Sequence, residues 1–347
     1  MVISHYTMPA VLDALHKAVT RENLSSEQAS AALDEILDGG APASLVSALL
    51  VALRMKGEAV EEVVGFARAL RRRALRVECG EDPRPLIDTC GTGGDSAGTF
   101  NISTAAAFVV AGAGARVAKH GNRSISSHCG SADVLEELGA KLDPAPAEVA
   151  RAVNEIGIGF LFAPAFHPAM RQVQPVRTEL KMRTIFNLLG PLANPAGAPV
   201  QVVGVFDERV VDLVAAALAQ LGMRRGMVVH GGDGLDEVTT TGPTTVAEIA
   251  GGKVSRRTWF PEDFGVERST GEQLAGGDRH QNAAIVRAVL GGEKGPPRDI
   301  VLVNAAAALI AADLAPDPAA AMRLAGESID SGQALEKLTR FIEFSRR

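Results

Sequence analysis

The sequence predicts an α/β protein: a small N-terminal all-helical domain plus a larger α/β domain with a mostly parallel central sheet flanked by helices. Three observations carry this reading. Residues 1 to about 75 show apolar residues at helical spacing only. From Leu86 onward, strand-like and helical runs alternate, the texture of a parallel sheet with helical crossovers. A glycine-rich stretch, Asp88 to Thr104, stands between a strand-like entry and an apolar helical run. That is where open α/β sheets bind ligands.

The helical part reads in order. Val11, Leu12, Leu15 and Val19 recur at helical spacing. Ser25 and Gln28 form a capping-box pattern that opens a second helix, stopped by Gly39-Gly40. A third covers about Pro42 to Lys56 and ends at Gly57. A fourth begins near Glu58, with Glu61 and Glu62 in its first turns, and finishes on Arg71-Arg72-Arg73. That arginine run reads as a solvated helix end complementing the dipole. Short amphipathic helices need a partner surface, so this bundle is expected to pack on the rest of the chain or on another subunit. Val77 to Pro85, polar and with two prolines, reads as a linker.

Beyond it, strand-like runs are Leu86–Thr89, Arg116–Lys119, Gly157–Phe162, Val200–Phe206 and Gly226–His230. Helical runs are Thr104–Ala113, Ala132–Leu138, Ala147–Glu155, Glu208–Leu221, His280–Leu290, Asp299–Leu314, Pro318–Ile329 and about Ala334–Arg347. The helical domain is therefore drawn as 1–76, with the α/β domain starting at 86.

Composition narrows the function classes. A chain of 347 residues suits about two domains, and 46% hydrophobic residues supply an ample core. Aromatics are scarce at 4%, which argues against base-stacking platforms for single-stranded nucleic acid. Net charge is −6, so any anion site must be local. The three cysteines, Cys79, Cys90 and Cys129, lack metal-ligand spacing and point to a reducing compartment. Neither a signal peptide nor an unbroken 18-residue apolar run is found, so a cytoplasmic protein without membrane or nucleic-acid partners is expected.

Four clusters carry chemistry. In the first, Gly91, Gly93, Gly94 and Gly98 leave backbone N–H groups open to one anion. Asn101, Ser103 or Thr104 could cap the following helix, whose N-terminus favours phosphate. The pattern is neither a Walker loop nor GxGxxG. In the second, Lys119 to Asp133, the cations Lys119 and Arg123 stand with Asn122 and the hydroxyls of Ser124, Ser126, Ser127 and Ser131. Cations and hydroxyls together suit phosphate and sugar oxygens. In the third, Asp236 and Glu237 are adjacent carboxylates in a Gly/Thr loop, able to share a Mg²⁺ with substrate phosphates. In the fourth, His167 to Pro195, one of Arg171, Arg177 and Arg183 facing inward could grip a carboxylate. His120, His128, His167 and His230 lack the pairing of a zinc site.

Taken together, DTCGTGGD…TFNIST, KHGNRSISSHCGSADVLEELG, VRTELKMRTIFNLLGPLANP and HGGDGLDE resemble the anthranilate phosphoribosyltransferase family of tryptophan biosynthesis. The resemblance spans essentially the whole chain, including GGEKGPPRDIVLVNAAAAL and IDSGQALEKL. Ser96 stands where that loop often has another glycine, and Gln174 and Lys181 replace small residues near the arginine. The resemblance implies a homodimer formed through the helical domain, 1–76, to which part of about 170–195 returns, leaving 86–169 and 196–347 as the α/β domain. It implies phosphoribosyl pyrophosphate (PRPP) and Mg²⁺, two ions, in the α/β domain, with the active site in the cleft between domains. Gly91, Gly94, Asp95, Thr99, Asn101, Ile102, Ser103 and Thr104 resemble PRPP contacts. So do Lys119, His120, Gly121, Asn122, Arg123, Ser124, Ile125, Ser126 and Ser127, with Ser131 beside them. Ser103, Asp236 and Glu237 resemble the metal ligands, and Gly91, Asn122 and Arg177 the anthranilate contacts.

The expected reaction is phosphoribosyl transfer to the anthranilate amine, with inversion at C1′ and loss of pyrophosphate. A nucleoside phosphorylase would need no paired metal carboxylates, and a nucleic-acid-binding relative would want a basic groove. Of the loop residues only His120 is a plausible neutral base, and no protein general base is expected.

Overall fold

The computed structural model describes residues 8–95, 97–124 and 129–347. Among them the chain opens with helices α1 (Ala10–Val19), α2 (Ser26–Leu37), α3 (Ala43–Lys56) and α4 (Val60–Arg73). Strand β1 (Leu86–Asp88), helix α5 (Ile102–Gly112) and strand β2 (Arg116–Gly121) follow. Next come α6 (Ser131–Leu138), α7 (Pro146–Glu155), β3 (Ile158–Phe162) and the short α8 (Ala163–Phe166). Helices α9 (Gln174–Leu180) and α10 (Phe186–Leu192) precede β4 (Val200–Gly204), α11 (Val211–Gln220) and β5 (Arg225–Gly231). Strands β6 (Thr244–Ala250) and β7 (Lys253–Trp259) then lead to α12 (Arg279–Leu290), α13 (Pro296–Ala311), α14 (Pro318–Asp330) and α15 (Gln333–Ser345).

The chain divides into two compact units. One joins everything up to Ala74 with His167–Ala193; the other joins Leu75–Phe166 with Asn194–Arg347.

In the helical unit the predicted capping box forms: Ser25 Oγ accepts from Gln28 N (3.3 Å), and Gln28 Oε1 accepts from Ser25 N (3.1 Å). Gly65 lets α4 lie directly on α2, since a β-carbon there would collide with the Ser26 carbonyl. Glu62 is fully buried and accepts hydrogen bonds from Leu24 N, Ala59 N and Lys56 Nζ at 2.8–3.0 Å. One side chain thus fastens the entry to α2, the end of α3 and the start of α4. Phe66 meets Phe186 edge-on at 6.0 Å, joining α10 to α4.

The arginine run is not the solvated helix end that the sequence suggests. Arg71 Nε donates to Leu192 O (2.6 Å), Arg72 pairs with Asp34, and Arg73 spans Asp34 and Asp38. These carboxylates belong to α2 and the turn after it. Their hydrogen bonds push the Arg73 guanidinium further above its usual range.

The α/β unit is built on a seven-stranded sheet in the order β3-β2-β1-β4-β5-β6-β7. Strands β3 to β5 in that row are parallel, while β6 and β7 add an antiparallel edge. The sequence reading missed this hairpin. Gly251 and Gly252, at φ +56° and +75°, form its two-residue turn. Strand β7 hides its signal because it is an exposed edge carrying Lys253, Arg256 and Arg257, charges that discourage further strand pairing.

The segment expected as a linker belongs to this unit. Val77 and Cys79 are buried, Val77 N donates to Pro195 O (3.2 Å), and Arg116 donates to Cys79 O (3.0 Å). Helix α5, Ala-rich and buried on nearly every side, packs against α13, which is equally apolar. The two helices place the α5 N-terminus at the carboxyl end of β1.

Candidate active site

Strand β1 is only three residues long, and its last, Asp88, turns into the core. There it accepts from His120 N (3.1 Å), Asn194 Nδ2 (2.7 Å) and Gln201 Nε2 (3.2 Å). Burial raises its carboxyl to about 6, partly opposed by the charge of Lys119. The sequence reading did not single out Asp88, Asn194 or Gln201, which meet only in the fold.

The glycine loop leaves β1 along β4: Thr92 N donates to Gly204 O (2.8 Å) and Thr92 Oγ1 accepts from Phe206 N (3.2 Å). Gly93, Gly94 and Gly98 all adopt positive φ, which explains their residue type. Gly94 and Asp95 are half-buried, and Asp95 Oδ1 accepts from Ala97 N (3.2 Å). Thr99 bridges Ala275. Asn101 precedes α5, yet its side chain does not cap the helix. It donates to Cys129 O (3.1 Å) and accepts from Asn282 (3.1 Å). Ile102 and Thr104 are buried, so their side chains face inward; Ser103 is half-exposed.

Lys119 and His120 lie in β2, each only 3% exposed. Lys119 Nζ donates to Thr89 O (2.7 Å) and to Ser103 Oγ (3.4 Å), bracing the loop from beneath. Past Gly121, Asn122 exchanges hydrogen bonds with Ser131 Oγ, and its own Oδ1 accepts from Arg123 N (2.8 Å). Arg123 forks onto Glu136 (2.5 and 2.6 Å) and lies over the Phe162 ring. Ser124 N donates to Asp133 (3.0 Å). Of the other sequence candidates, Ile125, Ser126 and Ser127 lie outside the described residues, as do Ser96 and His128.

The acidic loop follows β5 and crosses both earlier elements. Gly204 has no room for a β-carbon because the Asp236 carbonyl lies against it. Asp236 Oδ2 accepts from Gly93 N (2.7 Å), and Glu237 Oε1 accepts from Ser103 N (3.1 Å). Thr89, Gly91, Ser103, Gly204, Glu237 and Asn304 therefore line one small pocket. Asp233 braces the loop by accepting from Thr239 and Thr241 hydroxyls at 2.6 Å each.

Electrostatics mark this place. Burial, then the nearby Asp95 and Glu237 carboxylates, raise the Asp236 carboxyl well above its ordinary value. Burial also pushes Glu237 up to about 7, partly opposed by Lys119 and by hydrogen bonds from Ser103. Acids crowded in this way gain from a divalent cation, and hard oxygen donors suit Mg²⁺. Among the described residues no group of three or more His, Cys, Asp or Glu side chains forms a self-sufficient metal cage. The donor set fits the Mg²⁺ pattern of one or two carboxylates completed by substrate phosphates.

Arg177 belongs to the helical unit, on α9. It is half-buried, with its guanidinium 5.6 Å above the Phe186 ring, and burial lowers its pKa. Arg171 is exposed. Lys181 ends α9 in a left-handed conformation (φ 47°, ψ 32°), which costs a side-chain-bearing residue about 1–2 kcal/mol.

Two domain families match the chain: the helical bundle domain of the glycosyl transferase family over residues 12–74, and its a/b domain over 83–335. The anthranilate phosphoribosyltransferase of Rubrobacter xylanophilus is 54% identical over 336 residues, covering 96% of this chain and 97% of that one. The crystal structure of the Thermus thermophilus enzyme of that name superposes with a TM-score of 0.91 at 45% identity, covering 96% of this chain and 100% of that one. The Saccharomyces cerevisiae enzyme, in complex with PRPP and Mg, gives a TM-score of 0.87 at 30% identity and covers 99% of each chain. The yeast enzyme has also been solved with 4-fluoroanthranilate.

Proposed function

Since the chain belongs to the anthranilate phosphoribosyltransferase family, we propose a reaction in which each loop of the α/β unit has a defined part. The enzyme transfers the 5-phosphoribosyl group of PRPP to the amine of anthranilate in tryptophan biosynthesis. A bond forms between the amine nitrogen and C1′, the C1′–oxygen bond to pyrophosphate breaks with inversion, and pyrophosphate leaves. The observation that carries this reading is the union of the glycine and acidic loops through Gly93 N and Asp236 Oδ2.

Gly91, Gly94, Asp95, Thr99 and the first turn of α5 are proposed to hold PRPP, the turn through the positive end of the helix dipole. Gly121, Asn122, Ser124 and Ser131 offer amides and hydroxyls to the same substrate, and Arg123 joins them on leaving Glu136. Lys119 acts from below by holding Thr89 and Ser103. Asp236, Glu237 and the Ser103 hydroxyl are proposed to hold Mg²⁺, as two ions. Bound there, the metal would offset negative charge growing on the departing pyrophosphate. Arg177 is proposed to take the anthranilate carboxylate, with Gly91 and Asn122 beside the acceptor.

We further propose a cytoplasmic homodimer formed through the helical unit. Val19 on α1 and Met55 on α3 support it: they are 66% and 76% exposed, apolar, and carried by helices that pack together. The buried free thiols of Cys79, Cys90 and Cys129 suit a reducing compartment.

The direct test is the fall in anthranilate fluorescence on mixing with PRPP and Mg²⁺. The double substitution Asp236→Asn with Glu237→Gln should abolish most turnover. No fluorescence change in the wild-type enzyme would overturn the reaction, and near-normal Mg²⁺ dependence in the double variant would overturn the metal assignment.

A further inference from the structure

We propose that Asn304 is a positioning residue that fixes the aim of Glu237. The inference rests on reading Asp236 and Glu237 as the cation-binding pair. Asn304 interrupts an otherwise apolar stretch of α13, among Ile300, Val301, Val303, Ala305 and Ala306, and is itself only 4% exposed. A buried amide in such a helix is costly unless its hydrogen bonds are made. Here its Oδ1 accepts from Val238 N (2.8 Å), while Nδ2 donates to Val238 O (2.9 Å) and to Ile300 O (2.9 Å). The N–H of Val238 can face only an acceptor, so the amide's orientation is set by its partners.

Val238 directly follows Glu237 and lies in loop, outside any strand. One side chain therefore clamps both main-chain groups of the residue next to the carboxylate, as a neighbouring strand would. On its other side Glu237 is held by Ser103 N, at the start of α5. Helix α13 packs against α5, so Asn304 refers the acidic loop to the same rigid element that carries Ser103. Asn304 also lines the pocket that Glu237, Ser103 and Gly91 share. Groups that orient a metal's ligands typically change its affinity 10–100-fold when removed.

The test is Asn304→Leu, which suits the apolar helix and removes all three bonds. Mn²⁺ binding to the whole protein is titrated by electron paramagnetic resonance in the presence of pyrophosphate. The expected result is about tenfold or greater weakening of Mn²⁺, with KM for anthranilate unchanged. A folded Asn304→Leu protein with wild-type Mn²⁺ affinity overturns the inference. If that variant does not fold, Asn304→Ser is measured in the same way, and there too unchanged affinity overturns it. A wild-type protein that binds no Mn²⁺, or an Asp236→Asn, Glu237→Gln protein that binds it normally, instead overturns the cation pair and the inference with it.

Discussion

A β-carbon on Gly91 would stand 2.5 Å from Asp236 Oδ2, the oxygen that accepts a hydrogen bond from Gly93 N. Residues 145 positions apart in sequence are thus in contact only because one of them has no side chain. Gly91→Ala leaves the backbone conformation allowed, since φ there is not positive, but forces the acidic loop outward. Overpacking of this kind costs about 1–3 kcal/mol, or roughly 5- to 150-fold in an equilibrium. The expected outcome is a weaker PRPP interaction and a higher Mg²⁺ requirement, with the helical unit unaffected. Steady-state kinetics across a Mg²⁺ series would reveal it, and a purely thermal destabilisation with unchanged kinetics would count against the contact's role.

Arg177 supplies the second prediction. Among the described residues no carboxylate pairs with it, and burial without such a partner lowers its pKa. The Phe186 ring faces the guanidinium at 5.6 Å. A charged group held this way is suited to a carboxylate brought by substrate. Arg177→Ala should cost about 1.5–3 kcal/mol, or roughly 10- to 150-fold, in kcat/KM for anthranilate, with little change for PRPP. Equal losses for both substrates would mark Arg177 as structural.

His167, which opens the return segment of the helical unit, sets a pH dependence. It is 5% exposed, and burial lowers its pKa to about 4, partly offset by a hydrogen bond with the Ala193 backbone. The folded value lies below the unfolded one of about 6.5, so the unfolded chain binds the extra proton first. Stability is therefore full above about pH 6.5 and falls as pH drops toward 4, by about 3 kcal/mol. Asp88 works in the opposite sense. Its folded value of about 6 lies above the unfolded one, so its contribution is present below about pH 4 and lost as pH rises through 6. A global melting curve mixes the two. The urea midpoint of His167→Asn should gain on wild type as pH falls from 7 to 4.5, and a constant gap would refute the assignment.

Much of the candidate site was legible because its signals are local. Gly91 to Gly98, Lys119 to Ser124 and Asp236-Glu237 are short runs whose residue types state their chemistry. What escaped depends on distant partners. Arg71 to Arg73 looked solvated because Asp34 and Asp38 lie one helix hairpin away in sequence. Arg123 looked free for phosphate, whereas Glu136 on the next helix holds it. Asn304 was invisible inside an apolar run, since only the fold brings Val238 to it. The β6–β7 hairpin was lost because the exposed face of an edge strand reads as polar loop.

The last prediction concerns the proton that anthranilate must lose. His120 is the obvious neutral base among the loop residues, yet it is 3% exposed and held in β2, its own N–H donating to Asp88 Oδ1 (3.1 Å). The nearby carboxylates Asp236 and Glu237 are assigned to the cation, and Lys119 is occupied with Thr89 and Ser103. An aromatic amine is unprotonated near neutral pH, and its proton becomes acidic only once the bond to C1′ is forming. Departing pyrophosphate or water can then take it. The enzyme's contribution is to align the amine with C1′ and stabilise the leaving group. A general base typically contributes about 10²–10⁴-fold. His120→Asn should accordingly lower kcat by less than about 10²-fold, and the pH–rate profile should keep its shape. A larger loss, together with disappearance of an acidic limb near pH 6.5, the reference value for histidine, would show that His120 does take the proton.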